Sequence, residues 1–187
     1  MVPLMPLLPS ILISAVFVFV ASSVIHMVLT YHRQDVRRLA ADQEKELLDA
    51  LRRMNLPPGD YAAPHAGSPA GMKDPDFVAR MKQGPLVLLT VAPGGPVSMS
   101  KSLTLWFLYI VVVNLFAAYV TGRALDPGAD YLTVFRFVGT TAFMGYSLAL
   151  LQQSIWFRRN WGSTAKSMFD GLVYALFPGC ADGAFRW

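Results

Sequence analysis

The sequence predicts an all-α integral membrane protein: a helical bundle of three transmembrane helices and a weaker fourth, with an amphipathic helix outside the bilayer. Three observations predict it. Two apolar stretches, 103–121 and 132–152, are each long enough to cross a bilayer, and ten residues separate them. The composition is 54% hydrophobic and only 15% charged, too apolar for a soluble domain of 187 residues. The charge is also segregated: ten of the sixteen Lys and Arg lie between Arg33 and Lys101, and three more between Arg158 and Lys166.

The central pair organises the rest. A hydrocarbon core of about 30 Å takes roughly 20 apolar helical residues, and backbone groups deprived of water must pair within their own helix. Leu103–Thr121 carries no charge; Leu132–Gln152 carries one, Arg136, near its start. Asp126-Pro127-Gly128 turns the chain between them, so the helices are antiparallel neighbours. Trp106, Phe107 and Tyr109 at one end match Trp156, Phe157 and Trp161 at the end of the partner, as an interfacial aromatic belt would.

Upstream, an apolar run over 7–31 reads as a first span. Its basic residues follow the run instead of preceding it, which predicts an uncleaved signal anchor with its N-terminus outside. From Ser10 to Leu56 there is no Gly or Pro, so nothing local stops this helix at the membrane surface. It could continue to Met54 as a rod of about 70 Å. The part over 33–54 is amphipathic, with Val36, Ala40, Leu47, Leu51 and Met54 at helical spacing and Asp49–Arg53 as an i,i+4 pair. The apolar seam is interrupted by Gln43 and lasts under three heptads, which favours a solvated surface helix over a coiled coil.

Residues 55–73 are rich in Pro, Gly and Ala and read as a linker. Asp74 as cap, Pro75 in the first position and Gly84 as stop predict a short helix over 75–83. Pro85–Ala92 is too short to span and reads as a strand or an interfacial segment. The final stretch, 168–187, is apolar but diluted by Asp170, Pro178, Asp182 and Arg186. Gly171, Ala175, Gly179 and Gly183 repeat every four residues along it, a pattern that lets membrane helices approach closely. Ala118–Gly122 and Thr141–Gly145 are shorter versions. A re-entrant or surface-lying tail is the rival reading.

The Lys/Arg excess places 33–101 and 154–167 in the cytoplasm, and the N-terminus, the 122–130 turn and the C-terminus outside. The formal net charge of +4 reads as membrane topology and lipid contact. No nucleic-acid partner is expected, because no basic patch is interleaved with aromatics. The single Cys180 excludes an internal disulfide framework and a cysteine metal site.

No catalytic, cofactor-binding or metal-ligating set stands out, so the chain reads as non-enzymatic and cofactor-free. His26 and His32 are six positions apart, on different faces of a continuous helix, and make a poor metal pair; His26 reads as a polar contact to a neighbouring helix. Gly94-Gly95 lacks the Lys-Ser or Lys-Thr and the strand–loop–helix setting of a phosphate loop. An outer polar collar of Arg123, Asp126, Asp130, Arg136, Asp182 and Arg186 reads as a staple between helices, with an ion or substrate gate as the alternative. Asn114 reads as interhelical glue. Asp170, near the cytoplasmic mouth of the last helix, is the one residue placed to carry protons. The expected role is structural or accessory, packing against a second copy or a larger membrane complex. The alternative is a transport or channel component using the collar and Asp170.

Several strings resemble a family of small bacterial inner-membrane proteins to which no activity is assigned. They are GPLVLLTV at 84–91, LWFLYIVVVNLFAAYV at 105–120, GRALDPGADYLTVFRFVGTTAF at 122–143, SIWFRRNW at 154–161 and FDGLVYAL at 169–176. YHRQD and LPPGDY are weaker matches. The resemblance implies a bacterial source and an inner-membrane location. The end of the chain, CADGAFRW, departs from the family's apolar and aromatic pattern.

Overall fold

Among the described residues, three helices are long and apolar enough to cross a membrane: Met5–Met27, Met99–Ala124 and Tyr131–Ile155. The computed structural model describes residues 3–184, with side chains described as far as residue 181. The collar residues Asp182 and Arg186 therefore lie outside the described side chains. Helix α1 is Leu8–Met27, entered through a short 3-10 turn at Met5–Leu7. Helix α2 is Ala41–Met54. Strand β1 (Gly59–Ala63), helix α3 (Pro75–Gln83) and strand β2 (Val87–Val91) follow. Helix α4 is Met99–Ala124, α5 is Tyr131–Ser147, α6 is Leu151–Ile155 and α7 is Trp161–Ala184.

The chain divides into two compact units, 1–36 with 98–187, and 37–97. The first is the bundle. Its helices carry an inward stripe at helical spacing: Ile11, Ala15, Val18 and Ser22 of α1; Ile110, Asn114, Ala117 and Thr121 of α4; Val134, Val138, Ala142 and Tyr146 of α5. The outward faces are apolar as well: Leu12, Val16, Val20 and Phe116 are exposed. A helix apolar all round suits lipid rather than water outside.

The glycines of the last helix are spent inside this bundle. A Cβ on Gly179 would come within 2.9 Å of the Phe135 ring, and one on Gly171 would meet Ser147 Oγ and sit 3.1 Å from Tyr146 Cβ. Across the other seam, a Cβ on Gly145 would lie 2.9 Å from Val113. The described glycines of the ladder, Gly171 and Gly179, thus bring α7 against α5. Helix α7 starts at Trp161, not at 168, and falls short of the apolarity that marks the other three.

The first helix does not form one rod. It ends at Met27, and 28–40 is irregular before α2 begins at Ala41, so the expected 33–54 helix covers only 41–54. No Gly or Pro causes this break; contacts with α7, described below, hold the backbone instead. In α2, Asp49 pairs with Arg52 at 2.7 Å in i,i+3 spacing, not with Arg53.

The second unit is not all-α. Residues 59–63, read as linker, pair with Val87–Val91 in an antiparallel two-stranded sheet with Tyr61 opposite Leu89. Asp60 and Thr90 face each other across it, the Thr90 hydroxyl donating to Asp60 at 2.6 Å. Asn55, in the left-handed region at φ 50°, closes α2; Asn tolerates that conformation better than most residues. Asp74 accepts from the Asp76 N–H at 2.8 Å and caps α3.

Candidate functional site

The site is built where the chain leaves α1 and meets the first half of α7. After Met27 the chain makes a wide turn (Leu29 N–H to the Val24 carbonyl, 3.1 Å), then tight turns at Thr30–Arg33 and His32–Asp35. These aim Tyr31, His32 and Asp35 at α7. On α7, Lys166 and Asp170 are one turn apart and share a face.

A continuous polar chain results. Lys166 Nζ donates to Asp35 Oδ1 at 2.9 Å and to the Tyr31 carbonyl at 2.6 Å. Asp35 Oδ2 lies 2.6 Å from His32 Nδ1, and His32 Nε2 lies 2.7 Å from Asp170 Oδ2. The Tyr31 hydroxyl donates to the other Asp170 oxygen. Asp170 is only 2% exposed. Burial pushes the Asp35 carboxyl up, but the hydrogen bonds from Lys166 and His32 outweigh it and hold it down at about 2.

His26 completes the cluster. Its ring lies 4.8 Å from that of His32, and its Nε2 is 3.4 Å from the Tyr174 hydroxyl. The six-residue spacing would separate the two histidines on an unbroken helix; the break after Met27 brings them together. His26, His32 and Asp170 each offer a ligand atom, all within 4.8 Å of one another.

A cavity of about 310 Å³ opens beside Asp170, walled by His26, Trp106, Tyr109, Tyr146 and Tyr174. Trp106 and Tyr109, expected in an interfacial belt, also line this cavity and pack ring against ring at 5.4 Å, with Tyr109 still exposed. The Trp106 indole N–H is buried without a partner among the described residues. A second cavity of about 530 Å³, lined by Ser22, His26, Met99 and Trp106, shares the His26–Trp106 pair.

Polar side chains continue away from the cavity into the bundle. Tyr146 donates to Asn114 at 3.1 Å, and Asn114 Nδ2 reaches the Ile11 carbonyl at 3.5 Å. Ser14 is fully buried with a hydroxyl that has no partner among the described residues, and Ser10 and Thr121 are buried as well. Helix α5 breaks beside the cavity: Ser147 leaves helical geometry and 148–150 is 3-10. The Tyr109 hydroxyl donates to the Gly145 carbonyl at 2.7 Å, one turn before the break. Broken helices of this kind are tolerated in membranes where side chains satisfy the freed backbone.

The described residues of the outer collar are not drawn into this site. Arg123 lies over the Tyr119 ring at 5.4 Å. Asp130 caps α5, accepting from the Thr133 N–H at 3.1 Å and its hydroxyl at 2.6 Å. Arg136 borders a separate groove of about 240 Å³ between α5 and α7.

Sequence reasoning singled out Asp170, His26 and Asn114 but missed Tyr31, His32, Asp35 and Lys166 as partners. A usable signal was present: an His–Asp pair at i,i+3 directly after an apolar run, and a Lys–Asp pair at i,i+4 opening another. Comparison with known protein families, with curated proteins and with solved structures finds no match. Function is therefore read from the site's own chemistry.

Proposed function

We propose that this chain is a non-enzymatic protein of the bacterial inner membrane that acts as a cation-transport component, with Asp170 as its binding carboxylate. In this reading the N-terminus lies outside, the 33–101 segment is cytoplasmic and α7 is the fourth span. At 1.5 Å per residue, 24 residues reach about 36 Å, enough to cross.

The observation that carries the reading is Asp170 itself: a carboxylate 2% exposed, on a helix of the bundle and lining a cavity. A charge kept inside a membrane bundle is costly and marks an ion path more often than a packing contact. The cluster holds two carboxylates, Asp170 and Asp35, and one ammonium, Lys166, with His26 and His32 beside them. Tyr146, which lines the cavity, is bonded to Asn114, and Ser14, Thr121 and Ser10 are buried polar groups further inside the bundle. The rival idea, self-association through the glycine ladder, loses its main support because that ladder packs α7 on α5.

Reconstitution tests this. Purified protein in vesicles loaded with ion-sensitive dyes should admit cations faster than protein-free vesicles, and Asp170→Asn at equal incorporation should return the rate to background. An Asp170→Asn rate equal to wild type would remove the reading.

An accessory role keeps one observation of its own. Helix α2 exposes Leu47 and Leu48 and buries no residue, so its apolar edge is free to meet a bilayer surface or a partner. Co-purification of a membrane complex at constant stoichiometry would favour that role.

A further inference from the structure

We infer that His26, His32 and Asp170 form a binding site for a divalent first-row transition metal ion, with an open coordination position facing the 310 Å³ cavity. This rests on the cation-transport reading above and names the class of ion.

The inference starts from His32. Its Nδ1 lies 2.6 Å from Asp35 Oδ2, an acceptor that Lys166 holds in place. Nδ1 therefore carries a proton and donates it. In the neutral ring Nε2 is then a bare lone pair, and it points at an Asp170 oxygen 2.7 Å away. Two acceptors share that distance only with a proton between them, on the ring or on the carboxyl; a metal ion takes that proton's place once the pair opens to about 3.4 Å. An imidazole whose far nitrogen donates to a carboxylate is the usual arrangement of a metal-ligating histidine, because the outer carboxylate fixes the tautomer and raises the ligand's basicity.

The remaining donors fit the same ion. His26 brings a second imidazole to within 4.8 Å of the other ligand atoms. Metal–nitrogen and metal–oxygen bonds of about 2.0–2.2 Å put tetrahedral ligands roughly 3.4 Å apart, so His26 has to close by about 1.4 Å. It has room to do so: it is exposed, and among the described residues its hydrogen-bond contact is the 3.4 Å approach to Tyr174. The Tyr31 hydroxyl on the second Asp170 oxygen orients the carboxylate. Two imidazoles and one carboxylate select zinc, cobalt, nickel, copper or iron over magnesium and calcium, which prefer oxygen. Three protein ligands leave a fourth position for water or an outgoing ligand, and the cavity supplies the space.

The test uses the full chain, purified in detergent and stripped with a chelator, with Zn²⁺ and Co²⁺ as probes. The expected result is one Zn²⁺ per chain in competition with a chromophoric chelator, and visible Co²⁺ bands of tetrahedral type. His26→Ala, at an exposed position that leaves the fold intact, should weaken binding at least tenfold. Asp35→Asn should keep the stoichiometry and weaken affinity roughly 10–100-fold, as loss of an outer-shell partner does. His65→Ala, in the other unit, should change nothing. Wild type that binds no Zn²⁺, or His26→Ala that binds as well as wild type, overturns the site. Asp170-dependent cation flux without metal binding would overturn the site and leave the transport reading standing. Metal binding without flux would do the reverse.

Discussion

Replacing Gly171 by Ala probes the packing that holds the site together. A Cβ there runs into Ser147 Oγ and comes within 3.1 Å of Tyr146 Cβ and 3.4 Å of Ser147 Cβ. The hydroxyl can rotate away only by giving up its 3.2 Å bond to the Met168 carbonyl. The Tyr146 contact cannot relax without moving α5. Overpacking of this kind costs about 1–3 kcal/mol, against a helix-propensity gain of up to about 1 kcal/mol for Gly→Ala. The expected net loss is about 1 kcal/mol. Gly139 is the control: a Cβ there meets only the Ala175 carbonyl at 3.5 Å, an ordinary contact, so Gly139→Ala should hold or raise stability. Reversible unfolding in mixed micelles, followed by circular dichroism, reads both. Adding Ser147→Ala should recover part of the Gly171→Ala loss, because the clashing oxygen is gone. If Gly171→Ala matched or exceeded wild type in stability and instead lowered the oligomer mass, the ladder would be an interface and the bundle packing argued above would be wrong.

Three further outcomes follow from the same contacts. Tyr146→Phe removes the buried bond to Asn114 and should cost about 1 kcal/mol in the same unfolding assay. Lys166→Ala takes the ammonium from Asp35 and the Tyr31 carbonyl, so the turn over 28–36 should loosen and trypsin should cut faster at Arg33 than in wild type. The Asp130 carboxyl is held below its ordinary value by the Thr133 hydroxyl and N–H. A lowered folded-state value means its contribution is present above about pH 4 and is lost as pH falls further. Unfolding of Asp130→Ala should therefore lack that part of the acid dependence.

The bundle was legible wherever one local rule decided the outcome. Length and apolarity marked the stretches around Leu103–Thr121 and Leu132–Gln152, and Asp74-Pro75 with Gly84 marked the edges of α3. What stayed hidden depended on partners far along the chain. The end of α1 at Met27 has no breaker in its sequence; the stop comes from Lys166 and Asp170, some 135 residues later, capturing the Tyr31 carbonyl and His32. Strand β1, GDYAA, shows no alternation, and only its pairing with VLLTV makes it a strand. The aromatic belt was read from residue type alone, which cannot show that Trp106 and Tyr109 turn toward Tyr146 and Tyr174. The glycine ladder was read correctly as a contact surface, but its partner was α5 of the same chain.

The site follows the same logic. Asp170 was visible as a charge in an apolar helix. Its histidines were dismissed because helical geometry was extended past the point where the helix ends. Asp35, in the stretch expected as a solvated helix, instead pairs with His32 and Lys166, and His32 with Asp170.

The central claim is that the Asp170 end of the bundle, not the outer collar, handles the cation. The most direct measurement is cation entry into vesicles carrying wild type, Asp170→Asn or Arg136→Gln at matched density. The account predicts flux in wild type, background rates for Asp170→Asn and a wild-type rate for Arg136→Gln. Loss of flux in Arg136→Gln with Asp170→Asn unaffected would contradict it and move the site to the collar.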